Sequence, residues 1–135
     1  MVGPPGTPLA AKLGITPGSD LVLLGAPADL ALELPAGVRV RRRAGGRADV
    51  VVVFVVERRR LGTRIDALAS MVFPDGGLWV AWPKRSSGVT TDLTDGAVRE
   101  LALPRGLVDN KVCAVDATWT ALRLVWRVER RTVEG

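Results

Sequence analysis

Histidine and tyrosine are absent from this 135-residue chain, and cysteine occurs once, at Cys113. Each absence removes chemistry. Without histidine there is no Ser-His or Cys-His nucleophile pair, no imidazole zinc ligand and no side chain that ordinarily titrates near neutrality. A single cysteine excludes both an intrachain disulfide and a cysteine metal cluster. Long apolar runs are missing as well. The longest, Val50 to Val56, has seven residues, where a bilayer-spanning helix needs ~20. Pro4, Pro5 and Pro8 open the chain without a basic stretch leading into an apolar one, so no secretory signal and a cytoplasmic location are expected. What remains for chemistry is carboxylates, hydroxyls, Lys84, Lys111 or a cofactor. No catalytic residue and no metal ligand is expected.

What is present reads as a folded domain. Hydrophobic residues make up 47% of the chain and charged residues 24%, which opposes disorder. The length suits one domain over residues 1–135, with residues 1–19 as an arm carrying a short helix. The net charge is +5, with 16 arginines to three lysines. The arginines cluster at 39–47, 58–64 and 123–131. Such clusters mark either solvated edges or a nucleic-acid contact. Only Trp126 lies among them as an aromatic, so base stacking is poorly provided for and nucleic acid is an unlikely partner.

Along the chain, Thr7 is placed as the N-cap of a short helix with Pro8 at its first position and Gly14 as its stop. A turn at Pro17-Gly18 leads to a strand from Asp20 to Leu24. A second short helix is expected over "PADLALEL", opened by Pro27. "VRVRRR" from Val38 has the inserted charge of an edge strand. "ADVVVVFVV" is β-branched throughout, as in a parallel strand buried on both faces. Leu61, Ile65, Leu68 and Val72 then recur at helical spacing. "LWVAW" is the next strand, a helix runs from about Thr94 to Leu103, and two strands joined at Ala117-Thr118 close the chain. Alternating strands and helices predict a three-layer α/β architecture with a mainly parallel sheet of about six strands and a C-terminal antiparallel hairpin.

The strand "ADVVVVFVV" before a helix, the turn and strand "FPDGGLWVAW", and the closing hairpin resemble the Rossmann-like fold of class I S-adenosylmethionine-dependent methyltransferases, over roughly Asp49 to Arg127. That resemblance implies S-adenosylmethionine as a cofactor, a Gly-rich turn after the first strand and an acidic residue ending the second. Here the first turn is "LLGAPADL", with Gly25 alone, and the second strand ends in Arg41-Arg42-Arg43. The expectation is therefore no cofactor, with S-adenosylmethionine as the alternative. "GTPLAAKLGITPG", "FPDGGLWVAWPKRSSGVTTDLT" and "VRELALPRGLVDNKVCAVDATW" are similar to small bacterial proteins known as domain-of-unknown-function family 3052. This second resemblance covers nearly the whole chain and implies the same methyltransferase-like domain.

In an open α/β sheet, ligands bind beyond the carboxyl ends of the parallel strands. Candidate ligand-binding residues are therefore Gly25, Trp82, Lys84, Arg85, Ser86, Ser87, Thr91, Asp92, Asp116 and Trp119. Lys84, Ser86, Ser87, Thr91 and Asp92 are expected to face Asp116, Thr118 and Trp119 across a shallow cleft. Each has a structural alternative. Asp92 suits the N-cap of the following helix, as do Thr91 and Thr94, and Asp116 suits a local turn. Trp79 and Trp82 are placed on one face of their strand, Trp119 and Trp126 on opposite faces of theirs. Arg58, Arg59 and Arg60 open a helix against its dipole, a cost that Glu57 offsets. Three functions compete: a non-catalytic binding or regulatory domain for an anionic small molecule or a protein segment, a divergent methyltransferase, and a weak nucleic-acid binder. Homodimerisation through edge strands fits all three, and no membrane contact is expected.

Overall fold

A computed structural model describes residues 8–131, so Thr7 and its capping role lie outside the described residues. Six strands form one sheet: β1 (Asp20–Leu24), β2 (Arg39–Arg41), β3 (Val50–Phe54), β4 (Gly77–Pro83), β5 (Leu107–Ala114) and β6 (Trp119–Trp126). Their order is β2-β1-β3-β4-β6-β5. The pairs β1–β2, β1–β3 and β3–β4 are parallel. β6 pairs antiparallel with both β4 and β5. This is the mainly parallel α/β sheet with a closing hairpin that the alternation of elements predicts.

The sheet is covered unequally. On one face, α2 (Arg58–Met71) lays Leu61, Ile65, Leu68 and the following Val72 onto Val51, Val53, Leu78 and Val80, and α3 (Asp95–Ala102) adds Val98. All four residues of the α2 stripe are at most 1% exposed. At roughly 1.5–3 kcal/mol for each large side chain taken out of water, this face supplies much of the drive to fold. On the other face, α1 (Leu9–Lys12) and Leu13 to Ile15 cover Val50, Val52, Phe54 and Trp79. The Trp79 indole N–H donates to the Leu13 carbonyl at 2.9 Å, tying this arm to the central strand.

Three expectations are corrected. "PADLALEL" forms no helix; it holds only a turn, in which Leu30 N–H donates to the Pro27 carbonyl at 3.1 Å. Its leucines stand at 30, 32 and 34, a spacing of two that suits extended chain. Leu30 and Leu32 pack on the sheet while Leu34 stays 38% exposed. α1 begins after Pro8, which is the N-cap and not the first helical residue. Trp79 and Trp82 lie on opposite faces, Trp82 among the α2-side residues and Trp79 on the α1 side. They are three positions apart, and a strand alternates with period two. By the same rule Trp119 and Trp126 do fall on opposite faces.

β2 is the edge strand expected, with all three residues exposed and Arg39 Nε 2.6 Å from Asp20 Oδ1. Hydrogen bonding from Arg39 lowers the Asp20 pKa below the usual carboxylate value. Among the described residues no helix is long and apolar enough to cross a membrane.

Candidate functional site

The chain leaves β4 at Pro83, makes a 3-10 turn at Arg85–Ser87 and reaches α3 at Asp95. Local hydroxyls shape this loop. Ser87 Oγ donates to the Lys84 carbonyl at 2.7 Å and accepts from Val89 N–H at 3.1 Å. Thr91 Oγ1 donates to the Val56 carbonyl at 2.6 Å and accepts from Leu93 N–H at 3.1 Å. The loop is thereby stitched to the end of β3.

Asp92 does not cap the helix that follows it. Its Oδ1 accepts the Arg58 N–H of α2 at 2.7 Å, while Thr94 caps α3 by accepting Ala97 N–H at 3.0 Å. This resolves the arginine-rich start of α2. Glu57 holds Arg60 at 3.2 Å, Glu100 of α3 holds Arg58 at 2.9 Å, and the Asp92 carboxylate sits on the helix's positive end. Glu57 alone was expected there; two of the three compensating acids come from distant segments. Replacing Asp92 with alanine is expected to cost about 0.5–2 kcal/mol, the range of a lost N-cap, and asparagine, which also accepts, should restore most of it. Thermal unfolding of the two variants measures both.

The hairpin turn lies at the same end of the sheet as this loop. Pro83 pairs with Trp119, and the Lys84 N–H donates to the Thr118 carbonyl at 2.7 Å. Asp116 Oδ1 accepts the N–H groups of Thr118 and Trp119, each at 2.8 Å. That carboxylate closes its own turn, as Asp does locally.

The ten candidate residues nevertheless do not form one cleft. A cavity of about 650 Å³ is lined by Trp82, Pro83, Arg85, Gly88, Val89, Thr90, Thr91, Leu93, Thr94, Asp95, Val112 and Thr120. Only Trp82, Arg85 and Thr91 of the candidates line it. Lys84, Ser86 and Ser87 belong to the same loop without lining the cavity, and Asp92 turns to α2. Trp119 lies on the opposite face, edge-on to Phe54 with ring centroids 5.1 Å apart. Gly25 belongs to that side too. Its φ is +70°, and a Cβ there would stand 2.9 Å from the Phe54 carbonyl oxygen, so strand end and turn both require glycine. The loop and the hairpin turn thus lie side by side through their backbones, while the Trp119 ring packs on the face of the sheet opposite Trp82.

Two lining residues lie outside the 82–95 segment and were missed altogether by sequence reasoning, Val112 and Thr120. Thr120 lies directly opposite Trp82, and Val112 opposite Leu122, so both share the Trp82 face. Strand parity carries this information once the pairing register is known. Val112 is 68% exposed, an apolar side chain left at the cavity rim.

Charge at this edge is unbalanced. Among the described residues neither Lys84 nor Arg85 has a carboxylate within ion-pair distance. Asp95, the one acid lining the cavity, has Arg99 3.4 Å from Oδ2. A separate apolar groove of about 520 Å³ lies at the ends of β1 and β2, walled by Leu23, Leu30, Leu32, Leu34 and Val40, with Arg42 at its edge. Arg41 turns back to the Gly45 and Arg47 carbonyls at 2.8 and 2.6 Å. Asp109 lies at the amino-end half of β5, 3.1 Å from Arg99. Cys113 is buried, and desolvation pushes its thiol pKa up, which disfavours the reactive thiolate.

No protein-family model matches the chain, and no curated protein matches it. Solved structures do match. Magnesium protoporphyrin IX methyltransferase (ChlM) from Synechocystis PCC 6803 with bound SAH superposes with a TM-score of 0.58 at 13% identity, over 82% of this chain and 75% of that one. The same enzyme with bound SAM gives 0.58 at 15% identity, over 88% and 74%. A putative methyltransferase from Thermoplasma acidophilum gives 0.55 at 9% identity, over 84% and 70%. Identities this low carry the architecture alone, and the architecture is the Rossmann-like α/β fold of the methyltransferases.

Proposed function

We propose that this protein is a non-catalytic binding domain on a methyltransferase-like scaffold, taking an anionic small molecule in the cavity between the 83–95 loop and the β4-β6-β5 face. The observation that carries this is a 650 Å³ cavity at the carboxyl edge of the sheet, where such folds bind ligands, beside two cations without acidic partners. Its volume is that of an ordinary small-molecule pocket. Its titratable groups are Arg85 and Asp95, and of its four threonine hydroxyls those of Thr91 and Thr94 are committed to the backbone.

A second reading is a divergent methyltransferase, favoured by the fold that the chain shares with an enzyme holding SAM or SAH. The residues at the ends of β1 and β2 do not fit that cofactor. After Gly25 the chain passes through Pro27, which has no N–H, and no helix follows to offer an N-terminus. β2 ends in arginine where a ribose hydroxyl would require a carboxylate acceptor.

Calorimetry separates the readings. Titration with S-adenosylmethionine is expected to give no micromolar binding, and micromolar binding would favour the second reading. Titration with phosphate, acetate and hexanoate is expected to show weak anion binding. The Lys84→Gln, Arg85→Gln double variant should weaken it roughly tenfold or more, the size of one lost charge-assisted hydrogen bond. Equal anion affinity in that variant would sink the proposed site.

A further inference from the structure

The four tryptophans are not used alike. Trp79 donates its indole N–H to the Leu13 carbonyl, and Trp126 donates to the Ala69 carbonyl, each at 2.9 Å. Both are thereby satisfied by backbone, as buried indoles ordinarily are. Trp82 is different. It is only 7% exposed, yet no acceptor for its indole N–H exists among the described residues. The nitrogen is not sealed in, because no fully enclosed side-chain nitrogen or oxygen among the described residues lacks a partner. Trp82 is one of the residues that line the cavity. An N–H donor with this little exposure and no protein partner is free to donate to whatever acceptor enters the cavity.

The surroundings specify the acceptor. Thr120, opposite Trp82 on β6, presents a hydroxyl with no hydrogen bond to a described residue. Arg85, also unpaired, stands on the cavity wall. These donors ask for an oxygen carrying negative charge. The acid in the lining does not oppose it, since Asp95 is held by Arg99 and accepts the Gly96 N–H at 2.8 Å. The remaining wall mixes Thr90, Thr91 and Thr94 with Pro83, Leu93 and two valines, of which Val89 is 45% and Val112 68% exposed. An apolar body against those valines recovers hydrophobic free energy that a bare inorganic anion cannot.

We infer that the cavity takes a small aliphatic carboxylic acid, its carboxylate accepting the Trp82 indole N–H with Arg85 and Thr120 beside it, and its carbon chain lying on Val89 and Val112. This rests on the binding reading above and names the ligand class for the same cavity. A carboxylate suits the donors better than a neutral alcohol, because bonds to an ionised acceptor are about twice as strong.

The test is a ¹H–¹⁵N spectrum, in which the four indole N–H groups give separate signals, assigned through single Trp→Phe variants. Hexanoate, hexanol, acetate and an N-acetylated tetrapeptide ending in leucine are added in turn. Hexanoate is expected to move the Trp82 signal and to leave Trp79 and Trp126 in place. Hexanol and acetate should each need roughly tenfold higher concentration for the same shift, as expected when one charge-assisted bond or the apolar contact is missing. Trp82→Phe, which loses no bond to the protein, should stay folded and bind hexanoate about tenfold more weakly. Equal shifts from hexanol would mean a merely apolar cavity and overturn the inference. A larger Trp82 shift from the tetrapeptide would place the carboxylate on a polypeptide and overturn the small-acid assignment. If hexanoate moves backbone signals of residues 84–91 but never Trp82, anion binding at the loop stands and the role of the indole falls. If it moves nothing, both readings fall together.

Discussion

Truncation of Trp79 to alanine is expected to cost about 3–5 kcal/mol, the range for emptying a large aromatic site in a close-packed core. Two independent losses contribute. The indole is 1% exposed and packs between the central strands and the N-terminal arm. It is also the arm's latch, since its N–H is bonded to the carbonyl of Leu13, the residue closing α1. The effect should therefore reach beyond stability. Cleavage by a protease of residues 9–15 should accelerate in Trp79→Ala under native conditions, while sites in α2 stay protected. Trp79→Phe refills much of the volume but leaves the Leu13 carbonyl without its donor, and should lie between wild type and alanine. Denaturant titrations give the free energies. A loss below about 1 kcal/mol for alanine would show that the arm is not held through this residue. The comparison with Trp82 is instructive. Only three positions separate the two, but Trp82 has no bond to the protein to lose, so its phenylalanine variant should be the milder one.

The second large effect is expected at Gly76. A methyl group there would stand 2.7 Å from the Asp49 carbonyl oxygen and 3.1 Å from that of Ala48. Both neighbours are backbone and neither can rotate aside. The Asp49 carbonyl also receives the Gly77 N–H at 3.0 Å, the bond that starts the β3–β4 pairing. The Ala48 N–H donates to the Met71 carbonyl at the end of α2 at 2.9 Å. Gly76→Ala must therefore displace the point where helix, strand and turn meet. We expect a loss of about 1–3 kcal/mol from overpacking, measured as a shifted unfolding midpoint with an unchanged denaturant slope. A neutral result would mean that the turn opens without disturbing the register of Val50 with Gly77.

The elements were largely legible because each is specified locally. Val50 to Phe54 is β-branched enough to be a buried strand under any arrangement, and the stripe from Leu61 to Val72 is helical by spacing alone. The segment from Pro27 to Leu34 was misread as a helix because its proline start outweighed the alternation of its leucines. The candidate site was legible only as a position. Its loop was found by the rule that ligands meet parallel strands at their carboxyl ends, whereas Val112 and Thr120 of its lining were not. Val112 and Thr120 enter through the register of β4, β6 and β5, which depends on where the hairpin turns.

The sequence by itself determined which segments become strands and helices, that β2 is a charged edge, and that nucleophile-base chemistry through histidine is excluded. Periodicity and composition act over a few residues and need no partner. Tertiary structure alone decided which face each side chain serves. Trp82 was parted from Trp119 because the sheet stands between them. Asp92 was drawn from its own helix to the start of another 34 residues away. Both outcomes depend on contacts between distant segments, which exist only once the strands have paired.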